Sequence, residues 1–219
     1  AGGQMIFLPG FKLEQVLADL PRATAMMGVP TFYTRLLDSP DFTKDLVSHM
    51  RLFVSGSAPL LAETHNAFSE RTGHAILERY GMTEAGMITS NPVDGKRIAG
   101  TVGFPLPGIS ARVADEQGKV LPAGQTGVLE ITGPNVFKGY WQMPEKTMQE
   151  FRPDGWFITG DIVTMAEDGR VTIVGRAKDL IISGGFNLYP KESRPKSMPC
   201  RGEGIRGDRR AAVQILARQ

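Results

Sequence analysis

Between residues 11 and 99 short apolar runs alternate with amphipathic stretches, and this alternation constrains the fold more than any other property of the chain. FKLEQVLADL carries helical spacing, ATAMMGV is an apolar run suited to a buried strand, and Thr31 to Leu37 is predicted helical behind Pro30. RLFVSG reads as a strand, LLAETHNAFSERTG as an amphipathic helix closed by Gly73, and HAILERYG as a strand entering a turn. Strands that alternate with helices predict an α/β fold: a parallel or mixed sheet covered by helices. In such sheets ligands gather beyond the carboxyl ends of the strands. Ser55-Gly56-Ser57 and Tyr80-Gly81-Met82 fall at that edge.

From Gly100 the texture changes. SARVAD, GVLEIT, GWFITGDIVTMA and RVTIVG are short strands separated by turn pieces such as Asp115-Glu116-Gln117-Gly118 and Glu167-Asp168-Gly169. They predict a small β-barrel-like subdomain with one helix over 144–151. The expected organisation is an α/β part over 1–99, the β part over 100–175, a connector at 176–179 and the start of a further domain at 180–192. Residues 193–219 stand apart. They hold seven basic residues (Arg194, Lys196, Arg201, Arg206, Arg209, Arg210, Arg218) against Glu203 and Asp208, so the rest of the chain is net acidic despite an overall charge of +2. A basic tail invites a nucleic-acid or membrane role. This one has no aromatic residue to stack on bases, and neither partner is expected.

At 219 residues and 41% hydrophobic content the chain is long enough to bury a sizeable core. No apolar run approaches transmembrane length, and the first ten residues lack the charged and apolar regions of a signal peptide. Cys200 is the only cysteine, which excludes a disulfide framework and a cysteine zinc cluster and suits a reducing, cytoplasmic setting. His49, His65 and His74 have no metal-ligand spacing.

The segments that could carry chemistry suit a nucleotide. Tyr80 offers a flat apolar face for a base, Thr83 a hydroxyl donor, and Glu84 an oxygen ligand for a hard cation. The same residues would also serve a strand end followed by a helix cap. Ser57-Ala58-Pro59 is either a tight turn or a place where small residues let the backbone approach a ligand. Asp161, in Thr159-Gly160-Asp161, would accept bonds from a ribose diol or simply close a hairpin.

Taken in order, Tyr80-Gly81-Met82-Thr83-Glu84, Thr159-Gly160-Asp161, Gly175-Arg176-Ala177-Lys178-Asp179 and Ser183-Gly184-Gly185-Phe186-Asn187 resemble the adenylate-forming superfamily from about Met5 to Glu192. Met26 to Ser90 is most similar to malonyl-CoA synthetases. The resemblance implies the carboxyl-terminal part of an AMP-binding α/β subdomain, then the β subdomain, a hinge and the start of a truncated carboxyl-terminal domain. It implies an acid–thiol ligase that joins malonate to CoA with ATP, through an acyl-adenylate, releasing AMP and diphosphate. Ser57, Ala58, Pro59, Tyr80, Gly81, Met82, Thr83, Asp161 and Arg176 would line the nucleotide, with Thr83 and Glu84 catalytic and Glu84 holding Mg²⁺. Lys178 would be the hinge, Gly184 and Gly185 would line the CoA tunnel, and Arg35 would pair with the free carboxylate of malonate. Alternatives are a synthetase for another short-chain acid, or a catalytically silent adenine-nucleotide-binding remnant.

Two parts of the superfamily pattern are absent: the Gly/Ser/Thr-rich phosphate loop and the lysine late in the carboxyl-terminal domain. A chain incomplete at both ends and inactive alone is therefore expected. Residues 193–219 are expected to be a frameshift product without a packed core. Permitted codons for Glu192–Gly202 spell VEAEIDAMPG in another frame, and those for 214–219 spell DFGEA in that same frame.

Overall fold

The computed structural model describes residues 3–179, 181–183, 186–188 and 213–217. They fall into two compact units. Of the described residues the first draws on 3–80, 90–103 and 213–217, and the second on 81–89, 104–179, 181–183 and 186–188. The chain passes between the units after Tyr80, Thr89 and Gly103, with Gly81–Thr89 in the second unit.

The first unit contains β1 (Met5–Leu8), α1 (Leu13–Asp19), β2 (Ala23–Gly28), α2 (Pro30–Leu37), α3 (Lys44–Val47), β3 (Leu52–Ser55), α4 (Ala62–Thr72) and the start of β4 (Leu77–Met82). Strands β2, β3 and β4 are parallel neighbours, with Met26 opposite Phe53 and Ser55 opposite Glu78. The expected mixed sheet is completed in an unexpected way. Val213–Ala217, from the segment expected to lack a packed core, forms β13. It lies antiparallel between β1 and β2, Ile215 opposite both Ile6 and Met26. VQILA is itself a β-prone run, which is the physical reason it completes a ladder.

Helix α2 starts with Pro30 in its first turn behind an extended Val29, and buries Phe32, Tyr33 and Leu36 along one stripe. Helix α4 ends where Gly73 turns left-handed at φ +77° and donates its N–H to Ser69 O at 2.8 Å. Between these helices and the sheet, Phe68 packs edge-on to Tyr33 and Phe53 and beside Phe42, all four nearly inaccessible. The Tyr33 phenol bonds to Val54 O at 2.6 Å, and burial pushes its pKa upward.

In the second unit, β5 (Gly86–Ser90) and β6 (Phe104–Pro105) precede β7 (Ser110–Ala114), β8 (Thr126–Thr132), α5 (Pro144–Glu150), β9 (Phe157–Met165) and β10 (Val171–Arg176). The last four strands form an antiparallel sheet ordered β10-β9-β8-β7, the form taken by the small β subdomain. A 3₁₀ turn, Ala177–Asp179, follows. β11 (Ile181–Ser183) and β12 (Phe186–Leu188) then make a separate antiparallel pair. Under the four-stranded sheet, Phe137, Phe151 and Phe157 cluster with ring centroids 5.2–5.9 Å apart. Glu130 on β8 is fully buried and is held at 2.7 Å by both Arg112 Nε and Arg152 Nε. Among the described residues no helix is long and apolar enough to cross a membrane.

Candidate functional site

In the first unit the loop after β3 and the end of β4 come together through strand pairing. Ser55 faces Glu78 in parallel register, and Gly56 runs beside the Arg79 carbonyl. Ser57 adopts φ +66°, a conformation that residues other than glycine rarely take. Such strain persists where the surroundings impose it, and it concentrates at ligand sites. Ser57, Ala58 and Pro59 are exposed, whereas Ser55 beneath them is buried. His65 of α4 and Glu78 are both buried, with Nδ1 and Oε1 3.4 Å apart. His49 and His74 instead contact the backbone carbonyls of Leu20 and Val47. Arg35 lies on the exposed side of α2, its guanidinium carbon 5.5 Å from the ring centre of Phe11. Phe11 in turn stacks on Phe32 at 4.7 Å. No described ion pair joins Arg35 to Asp38 or Asp41.

In the second unit Thr83, Glu84 and Ala85 form the turn of a hairpin between β4 and β5, closed by Ala85 N–H donating to Met82 O at 3.1 Å. No helix follows, so the cap geometry that the sequence also allowed is absent. Gly81 is required by close approach: a Cβ there would collide with Gly86 O and stand 3.0 Å from Met87 Cα. Thr83 is exposed and Glu84 half-buried. The Glu84 Oε1 accepts a hydrogen bond from the Tyr140 phenol at 3.1 Å. Desolvation and then the Glu84 carboxylate push the Tyr140 pKa up to about 12.

Asp161 and Arg176 face each other across β9 and β10, with Arg176 Nε donating to Asp161 Oδ1 at 3.2 Å. The Asp161 side chain is 7% exposed and that of Arg176 57%, which leaves the guanidinium in reach of a ligand. Thr159 fixes this segment by donating to Leu129 O and accepting from Asp161 N–H. Lys178 is exposed in the 3₁₀ turn after β10. Gly184 and Gly185 lie outside the described residues.

Sequence reasoning missed Tyr140 and the segment that carries it. The signal was Phe137-Lys138-Gly139-Tyr140-Trp141, three aromatic residues in a turn-rich stretch before a Pro-initiated helix. Among the described residues no group of three or more His, Cys, Asp and Glu could enclose a metal ion. Glu84 by itself suits Mg²⁺, which is commonly held by one or two carboxylates together with substrate phosphates.

The family model for AMP-binding enzymes matches residues 1–141. The solved structure of ATP-bound MatB from Rhodopseudomonas palustris is 64% identical, with a TM-score of 0.83 over 85% of this chain and 37% of that one. A malonyl-CoA ligase ternary product complex with methylmalonyl-CoA and AMP is 41% identical, with a TM-score of 0.69 over 82% of this chain and 40% of that one. Mitochondrial malonate–CoA ligase ACSF3 of Mus musculus is 39% identical over 87% of this chain and 39% of its own length. A long-chain-fatty-acid–CoA ligase of Yersinia pestis is 42% identical over 77% of this chain and 30% of its own length. The chain thus spans between about a third and two-fifths of these relatives.

Proposed function

The chain belongs to the AMP-binding enzyme family, whose relatives here are acid–thiol ligases that form acyl-CoA, and from that premise we propose that it is part of a malonate–CoA ligase. The observation that carries this reading is the 64% identity to MatB over 85% of the chain, well above the 42% to a long-chain ligase. In the reaction, a malonate carboxylate oxygen attacks the α-phosphorus of ATP, the bond to the β-phosphate bridge breaks, and diphosphate leaves. The thiol of CoA then attacks the acyl carbon, a thioester forms, AMP leaves, and the thiol proton passes to solvent.

In this reading the Ser57-Ala58-Pro59 loop and Tyr80-Gly81-Met82 take the adenine, and Asp161 with Arg176 the ribose. Thr83 donates to the α-phosphate. Glu84 would hold Mg²⁺, which neutralises phosphate charge when bound. Arg35 takes the carboxylate that is not activated. A planar guanidinium suits it because two parallel N–H bonds match the two oxygens. Lys178 is the hinge, Gly184 and Gly185 line the path for CoA, and the setting is cytoplasmic. The substrates are then malonate, ATP and CoA.

Residues 3–183 grafted onto the remainder of the Rhodopseudomonas palustris MatB chain test the reading. The graft should form malonyl-CoA in preference to acetyl- or octanoyl-CoA. Equal or greater use of octanoate would reject it.

A further inference from the structure

The hairpin turn that carries Glu84 is strapped from one side by residues 135–140. Phe137 N–H donates to Glu84 O at 2.8 Å, and Asn135 Nδ2 donates to Ala85 O at 2.7 Å. These bonds fix the backbone of the turn. A third contact reaches the side chain: the Tyr140 phenol donates to Glu84 Oε1. Tyr140 is itself held rigidly. Its N–H donates to Thr147 Oγ1 at 2.9 Å, and that hydroxyl donates to Met143 O at 3.0 Å, tying it to the start of α5. Its ring lies edge-on to Phe137 at 4.8 Å, and Lys146 Nζ sits 5.1 Å from the ring centre. Gly139 lets the chain pass this close, because a Cβ there would stand 2.7 Å from Thr147 Cγ2.

A free glutamate side chain samples several rotamers, and a cation that binds it must hold it in one. The phenol removes that freedom beforehand. Being neutral, it donates a hydrogen bond to the carboxylate without cancelling its charge. We propose that Tyr140 is a positioning residue for Glu84: it engages one carboxylate oxygen and presents the other to the divalent cation that accompanies a nucleoside triphosphate. This rests on the reading that Glu84 takes the cation.

The test uses the 219-residue chain with Mn²⁺ as the probe, free Mn²⁺ being followed by electron paramagnetic resonance in the presence of ATP. Tyr140→Phe keeps the ring and deletes one O–H, and the two backbone bonds hold the turn in place. It should weaken Mn²⁺ retention about tenfold, the lower range for losing a partner of a metal ligand. Binding of AMP without metal, measured by calorimetry, should not change. If Tyr140→Phe retains Mn²⁺ like the parent while Glu84→Gln does not, the positioning role is wrong and the metal reading stands. An equal loss of metal-free AMP binding would make Tyr140 merely structural and overturn the proposal. If Glu84→Gln holds Mn²⁺ as well as the parent, or the parent holds none with ATP, the assignment of Glu84 fails and the proposal falls with it.

Discussion

At the scale of single residues, two side-chain positions make opposite predictions. Gly81 is a matter of space. Its missing Cβ is what lets β5 fold back against β4, so Gly81→Ala should cost about 1–3 kcal/mol, the usual penalty for forcing extra volume into a packed place. Urea denaturation of the variant would read this directly. Arg35 is a matter of charge. It is exposed, leans on Phe11 and joins no described ion pair, so Arg35→Ala should leave stability nearly unchanged. In the MatB graft the same change should lower kcat/KM for malonate by about 1.5–3 kcal/mol, the range for hydrogen bonds to a charged group. Propionate, which lacks the second carboxylate, should lose much less. Equal losses would mean that Arg35 supports the fold rather than selecting the acid.

At the scale of elements, the small β sheet is organised around one buried charge. Glu130 has no exposure and meets two guanidiniums, while Arg112 also reaches Asp154 and lies 4.2 Å from the centre of the Trp156 ring. Removing the carboxylate would take a charged partner from both arginines, whose side chains are only 17% and 21% exposed. Glu130→Ala should therefore destabilise the chain by about 3–5 kcal/mol in a denaturant titration. A loss below 1 kcal/mol would show that the arginines find water instead. The longer helices and strands were largely legible because each repeats one period: Phe32 and Leu36 mark a helical stripe in the first unit, and the turn pieces bracket the strands of the second. The hairpin at Thr83–Ala85 was not, because Thr-Glu after a strand suits a helix cap as well as a turn. The four-residue helix α3 was also missed, being too short to display a period. The Glu84–Tyr140 contact joins positions far apart in sequence, and no local pattern reports such a meeting.

At the scale of the whole molecule, the 219 residues alone should release no AMP in a malonate-dependent manner, although they should bind adenine nucleotides. Charge developing around transferred phosphates needs donors placed beforehand, and neither a phosphate-cradling loop nor a late lysine is recognisable in this sequence. Coupled detection of AMP would settle it, and robust turnover would overturn the expectation. Strand β13 was not legible because VQILA is only five residues long, too short to display a period, and stands in an Arg-rich segment. Deleting 213–219 should abolish the β1 pairing and broaden the unfolding transition of the first unit. The placement of that strand also has a consequence in time. During synthesis β2, β3 and β4 can associate as they emerge, since each follows closely on the last. Strand β1 must wait for β13, with Met5 and Phe7 open to water and its edge unclaimed. Until the ribosome completes residue 217, a neighbouring nascent chain is as eligible a partner for β1 as β13 is.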